Sequence, residues 1–195
     1  MMLLNTYKNI PIVLGSQSPR RKELLQKMGI DFEVIVRETD EHFDARRSPE
    51  EIVRHIALNK LGGFDDETFR DTLVITADTV VVCQGEVLGK PCDEQEAFQM
   101  LDKLQDGHHA VLTAVALRYQ GKQHVFVEET VVEFYPLSEE EIRFYIGTYR
   151  PFDKAGSYGI QEWIGFIAIK SISGSYENVV GLPTARLYQE MKRVL

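Results

Sequence analysis

Between Ile12 and Gly29 the chain passes from an apolar run to a capped, amphipathic segment through one short loop, and this handover limits the possible folds more than any other stretch. Ile12, Val13 and Leu14 have the make-up of a short buried strand. Gly15 and Ser16 break it, and Ser18 followed by Pro19 reads as a helix N-cap with proline at the first helical position. Leu24, Leu25 and Met28 supply an apolar face, and Gly29 stands where the helix should stop. The unpaired amides of the helix start, the positive end of its dipole, the hydroxyls of Ser16 and Ser18 and the guanidinium groups of Arg20 and Arg21 would then share one small region. A phosphate suits that region. An ordinary capped helix with two solvated arginines satisfies the same local pattern.

The rest of the chain alternates strands and helices at first and then turns to hairpins. Phe32 to Val36 reads as a strand, and Ser48, Pro49 and Glu51 open a helix with a capping box. Ile52, Val53, Ile56, Ala57 and Leu61 form its apolar face, ending at Gly62 and Gly63. Thr72 to Val82 is strongly β-forming, turns at Gln84 and Gly85, and returns through Val87 and Leu88. Asp93 and Glu96 cap a helix carrying Ala97, Met100, Leu101 and Leu104, with Gly107 as its stop. Ala110 to Tyr119 and His124 to Phe134 pair around Gln120 and Gly121. Ser138 and Glu141 cap a further helix, a glycine-bearing loop runs from Thr148 to Gln161, and a final strand precedes a C-terminal helix from about Pro183. The expected fold is a single α/β domain over residues 1–195, with a mixed, twisted central sheet, flanking helices and long β-hairpins.

Composition narrows the function. With 195 residues and a hydrophobic fraction of 44%, one substantial core is expected. The net charge of −8 argues against a surface built for nucleic acid or an anionic membrane, so an anion must be met by a local basic cluster. Cys83 and Cys92 form neither a metal-binding spacing nor a disulfide framework, which points to a reducing compartment. The apolar start is too short for a signal peptide and no run approaches membrane-spanning length, so a cytoplasmic protein is expected. No GxxxxGK[ST] or GxGxxG loop supports a P-loop enzyme or a dinucleotide dehydrogenase.

Asp78 lies in the apolar run LVITADTVVV, where a carboxylate is costly unless a cation or donors meet it. It is either paired structurally or does chemistry. A two-residue turn at Gln84 and Gly85 brings Lys90 opposite Thr79 and next to Asp78. Lys60, four residues after Ile56, falls at the edge of its helix's apolar stripe, from which it either reaches a cavity or snorkels to water. Glu41 belongs to an acidic cluster that a solvated loop would equally explain. The loop FDKAGSYGIQ is of a kind that holds a base or ribose, and also of a kind that merely turns.

Four blocks in order, GSQSPRRKELL, ITADTVVV with LGKP, FDKAGSYGIQ, and GSYENVVGLP, resemble the Maf family of nucleoside triphosphate pyrophosphatases over nearly the whole chain. The resemblance implies a Maf/ITPase-like α/β fold with a nucleotide-binding cleft, a divalent metal (Mg²⁺ or Mn²⁺) and a homodimer. It also implies hydrolysis of a nucleotide to the monophosphate and pyrophosphate. Asp78 matches the family's proton acceptor. Arg20, Arg21, Lys60 and Lys90 match its basic motif positions, with Ser16 and Ser18 in the same phosphate loop, and Glu41 matches its acidic position, here assigned to the metal. Arg20, Thr79 and Gln161 resemble the branch acting on dTTP and UTP, so a pyrimidine nucleoside triphosphate is the expected substrate. Gln17 occupies a position that is often small in the family, and Glu162 and Trp163 follow Gln161 where glycine is frequent. The rival expectation is a non-hydrolytic nucleotide sensor acting on cell division or morphology.

Overall fold

A parallel pair of strands sets the frame. In β1 (Ile12–Leu14) and β3 (Leu73–Cys83), Ile12 faces Leu73 and Leu14 faces Ile75. All three β1 residues are buried, as are Leu73, Val74 and Ile75, and a strand covered on both faces carries a continuous apolar run. The computed structural model describes residues 9–39 and 46–195; Glu41 lies outside the described residues. β2 (Glu33–Val34) pairs parallel to β1 on its other side. Only two residues pair there, although the sequence predicts a strand over 32–36.

The helices follow their capping chemistry. α1 (Pro19–Lys27) starts at Ser18, whose side chain accepts the Arg21 amide. α2 (Pro49–Gly62) has the reciprocal Ser48–Glu51 capping box. α3 (Glu94–Leu104) is capped by Asp93, and α4 (Glu139–Tyr149) has a second capping box through Ser138 and Glu141. β3 meets β4 (Glu86–Leu88) antiparallel, with Cys83 opposite Glu86 and Val81 opposite Leu88. Gln84 and Gly85 both have positive φ, 53° and 81°, the conformation a two-residue hairpin demands. The long hairpin β5 (His108–Tyr119) and β6 (Lys122–Phe134) turns the same way at Gln120 and Gly121.

Beyond Gln161 the sequence predicts only a strand before the last helix. The structure has α5 (Trp163–Ala168), β7 (Ile169–Ser173) and α6 (Tyr176–Val180) ahead of α7 (Thr184–Val194). Five- and six-residue helices are too short for an apolar period to declare itself. Among the described residues the sheet order is β2-β1-β3-β5-β6-β7, with β4 beside β3, which is the mixed sheet with flanking helices and long hairpins that the sequence implies.

The chain divides into two compact units, Met1–Asp78 with Thr113–Glu128 and Gly181–Leu195, and Thr79–Leu112 with Glu129–Val180. The first has Leu14, Leu25, Ile52, Leu61, Phe64 and Ile75 among its fully buried side chains. The second packs Leu101, Leu104, Phe134 and Tyr145.

Within the second core, His109 is 2% exposed, lies edge-on to Phe134 and Tyr158, and shares a 2.8 Å hydrogen bond with the Tyr158 hydroxyl. Burial, aided by neighbouring His108, pushes its pKa down to about 4. An unfolded histidine titrates near 6.5, so between these values the unfolded chain binds more protons and stability falls as pH falls. The expected loss from this group is about 3 kcal/mol between pH 6.5 and 4. Urea unfolding of the wild type and His109→Gln across that range should show a shallower pH slope for the variant. Equal slopes would contradict a buried neutral imidazole.

Candidate functional site

The first unit gathers its polar groups where β1 ends beside β3. Leu14 is the last β1 residue paired with β3, at Ile75, so the serine loop leaves the sheet at the carboxyl end of β1, beside the Thr76–Asp78 stretch of β3, which runs on to Cys83. The carboxyl ends of strands are where open α/β sheets place ligands. The Gly15 amide donates to the Ile75 carbonyl at 2.8 Å, and a Cβ on Gly15 would come within 2.8 Å of both the Phe64 ring and the Thr76 methyl. Glycine is what lets this loop lie against β3. Ser16 Oγ accepts the Ser18 amide at 3.2 Å, and Ser18 Oγ accepts the Arg21 amide at 3.4 Å, so the two hydroxyls line the start of α1.

Arg20 and Arg21 take different parts. Successive helical residues diverge by about 100°, and Arg21 shares its face with buried Leu24 and Leu25. Arg21 is 9% exposed. Its Nε donates to the Gly181 carbonyl at 2.8 Å, and its Nη1 donates to the Ala77 carbonyl at 2.9 Å and to Ser16 Oγ at 3.2 Å. The guanidinium therefore ties the serine loop, the residue before Asp78 and the turn before α7. Arg20 is half-buried at the same helix start.

Asp78 is met by Lys60, with Nζ 2.7 Å from Oδ1 and both side chains about 15% exposed (16% and 15%). A second bond explains the meeting. Thr76 Oγ1 donates to the Ala57 carbonyl of α2 at 2.8 Å; Thr76 and Asp78 share a strand face, and Ala57 and Lys60 share a helix face. Once Thr76 docks on Ala57, Lys60 arrives at Asp78.

The second unit carries Thr79, Lys90 and Gln161. Thr79 follows Asp78 in the chain and is half-buried. The β3–β4 ladder has the expected register, yet its last pair is Val81 with Leu88, and exposed Lys90 lies beyond it. The Gly89 carbonyl accepts the Gly156 amide at 3.0 Å, which joins the segment before Lys90 to the loop that leads to Gln161. Gly156 has φ of 66°, and a Cβ there would approach Val81 to 2.8 Å. Gln161 is exposed. Below it, Lys154 is 8% exposed and pairs with Asp153 at 2.8 Å and with Glu162 at 3.1 Å, while Tyr145 donates its hydroxyl to Glu162.

The docking of Thr76 on Ala57, the Gly181 carbonyl and the joining of Tyr145 to Glu162 are not among the expectations drawn from the sequence. A buried hydroxyl inside an apolar strand was a visible signal for Thr76. The other two depend on partners more than a dozen residues away.

A serine-lined helix start at the carboxyl end of β1, beside a lysine-paired aspartate on β3, defines an α/β protein equipped for a polyanionic ligand. The fold is that of the Staphylococcus aureus Ham1 protein, matched with a TM-score of 0.51 at 18% identity over 92% of this chain and 99% of the other. A family model described as "Maf-like protein" matches residues 11–194. A protein of Phocaeicola vulgatus is 48% identical over 98% of this chain and 100% of its own length. One from Flavobacterium psychrophilum is 46% identical over 96% of each chain, and one from Halalkalibacterium halodurans 47% identical over 93% and 95%. Each of these relatives carries the name dTTP/UTP pyrophosphatase. The chain belongs to the Maf family.

Truncating Arg21 tests its bracing part. Arg21→Met strands three acceptors, two of them backbone carbonyls, and should lower unfolding free energy in urea by roughly 3 kcal/mol. Arg21→Lys, which keeps the charge without the planar fork, should recover only part of this. A loss below about 0.5 kcal/mol, the range of ordinary surface substitutions, would return Arg21 to the solvated reading.

Proposed function

We propose that this protein hydrolyses pyrimidine nucleoside triphosphates, dTTP and UTP, to the monophosphate and pyrophosphate. The observation that carries the reading is the Lys60–Asp78 pair, 2.7 Å apart in the unit whose helix start bears Ser16, Ser18 and Arg20. A triphosphate brings roughly four negative charges, and a chain of net charge −8 needs focused cations to hold it. Arg20, Lys60 and Lys90, with Ser16 and Ser18, are the groups for that task; Arg21 adds its charge while bracing the loop. A carboxylate beside a polyanion is repelled by it, and Lys60 offsets that repulsion.

Asp78 is the proton acceptor in this reading. It takes the proton of the attacking water, the oxygen bonds to the α-phosphorus, and the bond to the leaving pyrophosphate breaks. Positioning and electrostatics supply most of the acceleration, as phosphoryl transfer requires. Thr79, Arg20 and Gln161 are the specificity residues: an amide that both donates and accepts suits the N–H and C=O edge of uracil or thymine.

Among the described residues no group of three His, Cys, Asp or Glu side chains is placed to hold a metal ion. Mg²⁺ commonly binds through one or two carboxylates together with substrate phosphates, so an ion that arrives with the nucleotide fits this donor set. Glu41 is the carboxylate that the family resemblance assigns to it, which leaves Asp78 as the proton acceptor. Mg²⁺ or Mn²⁺ would supply charge neutralisation on the phosphate oxygens. The same resemblance carries a homodimer, and the cysteine usage carries the cytoplasmic expectation; no helix among the described residues is long and apolar enough to cross a membrane.

Purified protein with Mg²⁺ or Mn²⁺ should turn UTP and dTTP into UMP or dTMP plus pyrophosphate, and EDTA should abolish turnover. Nucleoside diphosphate and inorganic phosphate as products would overturn the reading, and no turnover at all would favour the sensor. Asp78→Asn should lower kcat by roughly 10²- to 10⁴-fold with folding intact. Near-wild-type turnover in a folded variant would make Asp78 structural.

A further inference from the structure

The second unit contains a buried ionic group that the reaction above does not use. Glu162 receives the Lys154 ammonium on Oε1 at 3.1 Å and the Tyr145 hydroxyl on Oε2. The Tyr145 hydroxyl in turn accepts the Gly159 amide at 3.0 Å. Tyr145 is fully buried, and Lys154 keeps only 9% of its side chain exposed. Burial and the hydrogen bond to Glu162 raise the Tyr145 pKa far above the ordinary phenol value, so the group stays protonated and donates.

All of these contacts close on one turn. The Glu162 amide donates to the Gly159 carbonyl at 2.9 Å, so Gly159, Ile160, Gln161 and Glu162 form a hydrogen-bonded reverse turn with exposed Gln161 near its tip. Gly165 of α5 lies directly against the Ile160 carbonyl, where an added Cβ would collide with it. Gly159 leaves a bare face on which two side chains lie: a Cβ there would be 2.9 Å from Glu162 Cδ and 3.1 Å from Gln161 Nε2. The Gln161 amide and the Glu162 carboxylate thus share one shelf. The carboxylate is fixed by two anchors, Tyr145 of α4 and Lys154 earlier in the same loop.

We propose that Glu162, held by Tyr145 and Lys154, is the positioning residue for Gln161 and thereby sets how sharply the enzyme separates pyrimidine from purine triphosphates. The proposal rests on the reading of Gln161 as a base-recognising residue. Glu162 itself makes no contact with substrate; it acts by fixing the turn and the side of the shelf that Gln161 must occupy. An amide that reads hydrogen bonds discriminates only while its geometry is held, and displacements near 1 Å carry large penalties.

The test measures kcat and KM for UTP, dTTP, ATP and GTP in the wild type, Glu162→Ala, Glu162→Gln, Tyr145→Phe, Gln161→Ala and the Glu162→Ala/Gln161→Ala double variant, with a thermal melt of each. Glu162→Ala and Tyr145→Phe should lower the UTP-over-ATP ratio of kcat/KM by about tenfold or more, chiefly through KM for the pyrimidine. Glu162→Gln keeps an acceptor for Tyr145 and should retain more of the ratio than Glu162→Ala. The double variant should be no less selective than Gln161→Ala, because both changes act through one amide. If Glu162→Ala does not fold, Tyr145→Phe and Glu162→Gln decide the matter. An unchanged ratio in folded variants, or losses that add fully to that of Gln161→Ala, overturns the proposal while leaving the pyrimidine reading in place. A wild type without pyrimidine preference overturns that reading and this inference with it.

Discussion

The guanidinium of Arg21 is the interaction on which the first unit's site depends. Burying such a group is costly unless its donors are met, and here they are met by Ser16, Ala77 and Gly181. Those acceptors belong to three stretches of chain, separated from Arg21 by 5, 56 and 160 residues. One planar fork therefore fixes the serine loop, the approach to Asp78 and the entry to the last helix in a common frame. A lysine in its place would carry the charge without fixing the directions.

Around that brace, strand register does the remaining placement. Because Leu14, the last residue of β1, pairs with Ile75 in parallel, the serine loop leaves β1 beside the stretch of β3 that carries Asp78. The Thr76 hydroxyl locks α2 onto β3, and that lock delivers Lys60 to Asp78. The cation is thus set beside the carboxylate by contacts that exist before any ligand arrives, which is the condition for electrostatic catalysis at low reorganisation cost. In the second unit a different chemistry has the same consequence: the Tyr145–Glu162–Lys154 group rigidifies the turn that presents Gln161.

What was legible from the sequence is what depends on near neighbours along the chain. The caps at Ser18, Ser48, Asp93 and Ser138, and the turns at Gln84–Gly85 and Gln120–Gly121, follow from chemistry confined to a few residues, and they stand where the sequence puts them. Lys60 at the edge of an apolar stripe was visible for the same reason. Its pairing with Asp78 was not, because it depends on how a helix docks on a strand. Arg21 could have been separated from Arg20, since it stands three and four residues before Leu24 and Leu25 on the buried face. Adjacent identical residues hid that difference. α5 and α6 are too short for periodicity to reveal them.

The central claim is that water attacks the α-phosphorus of a nucleoside triphosphate, and the position of the new oxygen tests it most directly. Hydrolysis of UTP in ¹⁸O-enriched water, followed by mass spectrometry of both products, should place one heavy oxygen in the phosphate of UMP and none in pyrophosphate. Label in the pyrophosphate would mean attack at the β-phosphorus and would contradict the assignment of Asp78 and its neighbours to the α-position.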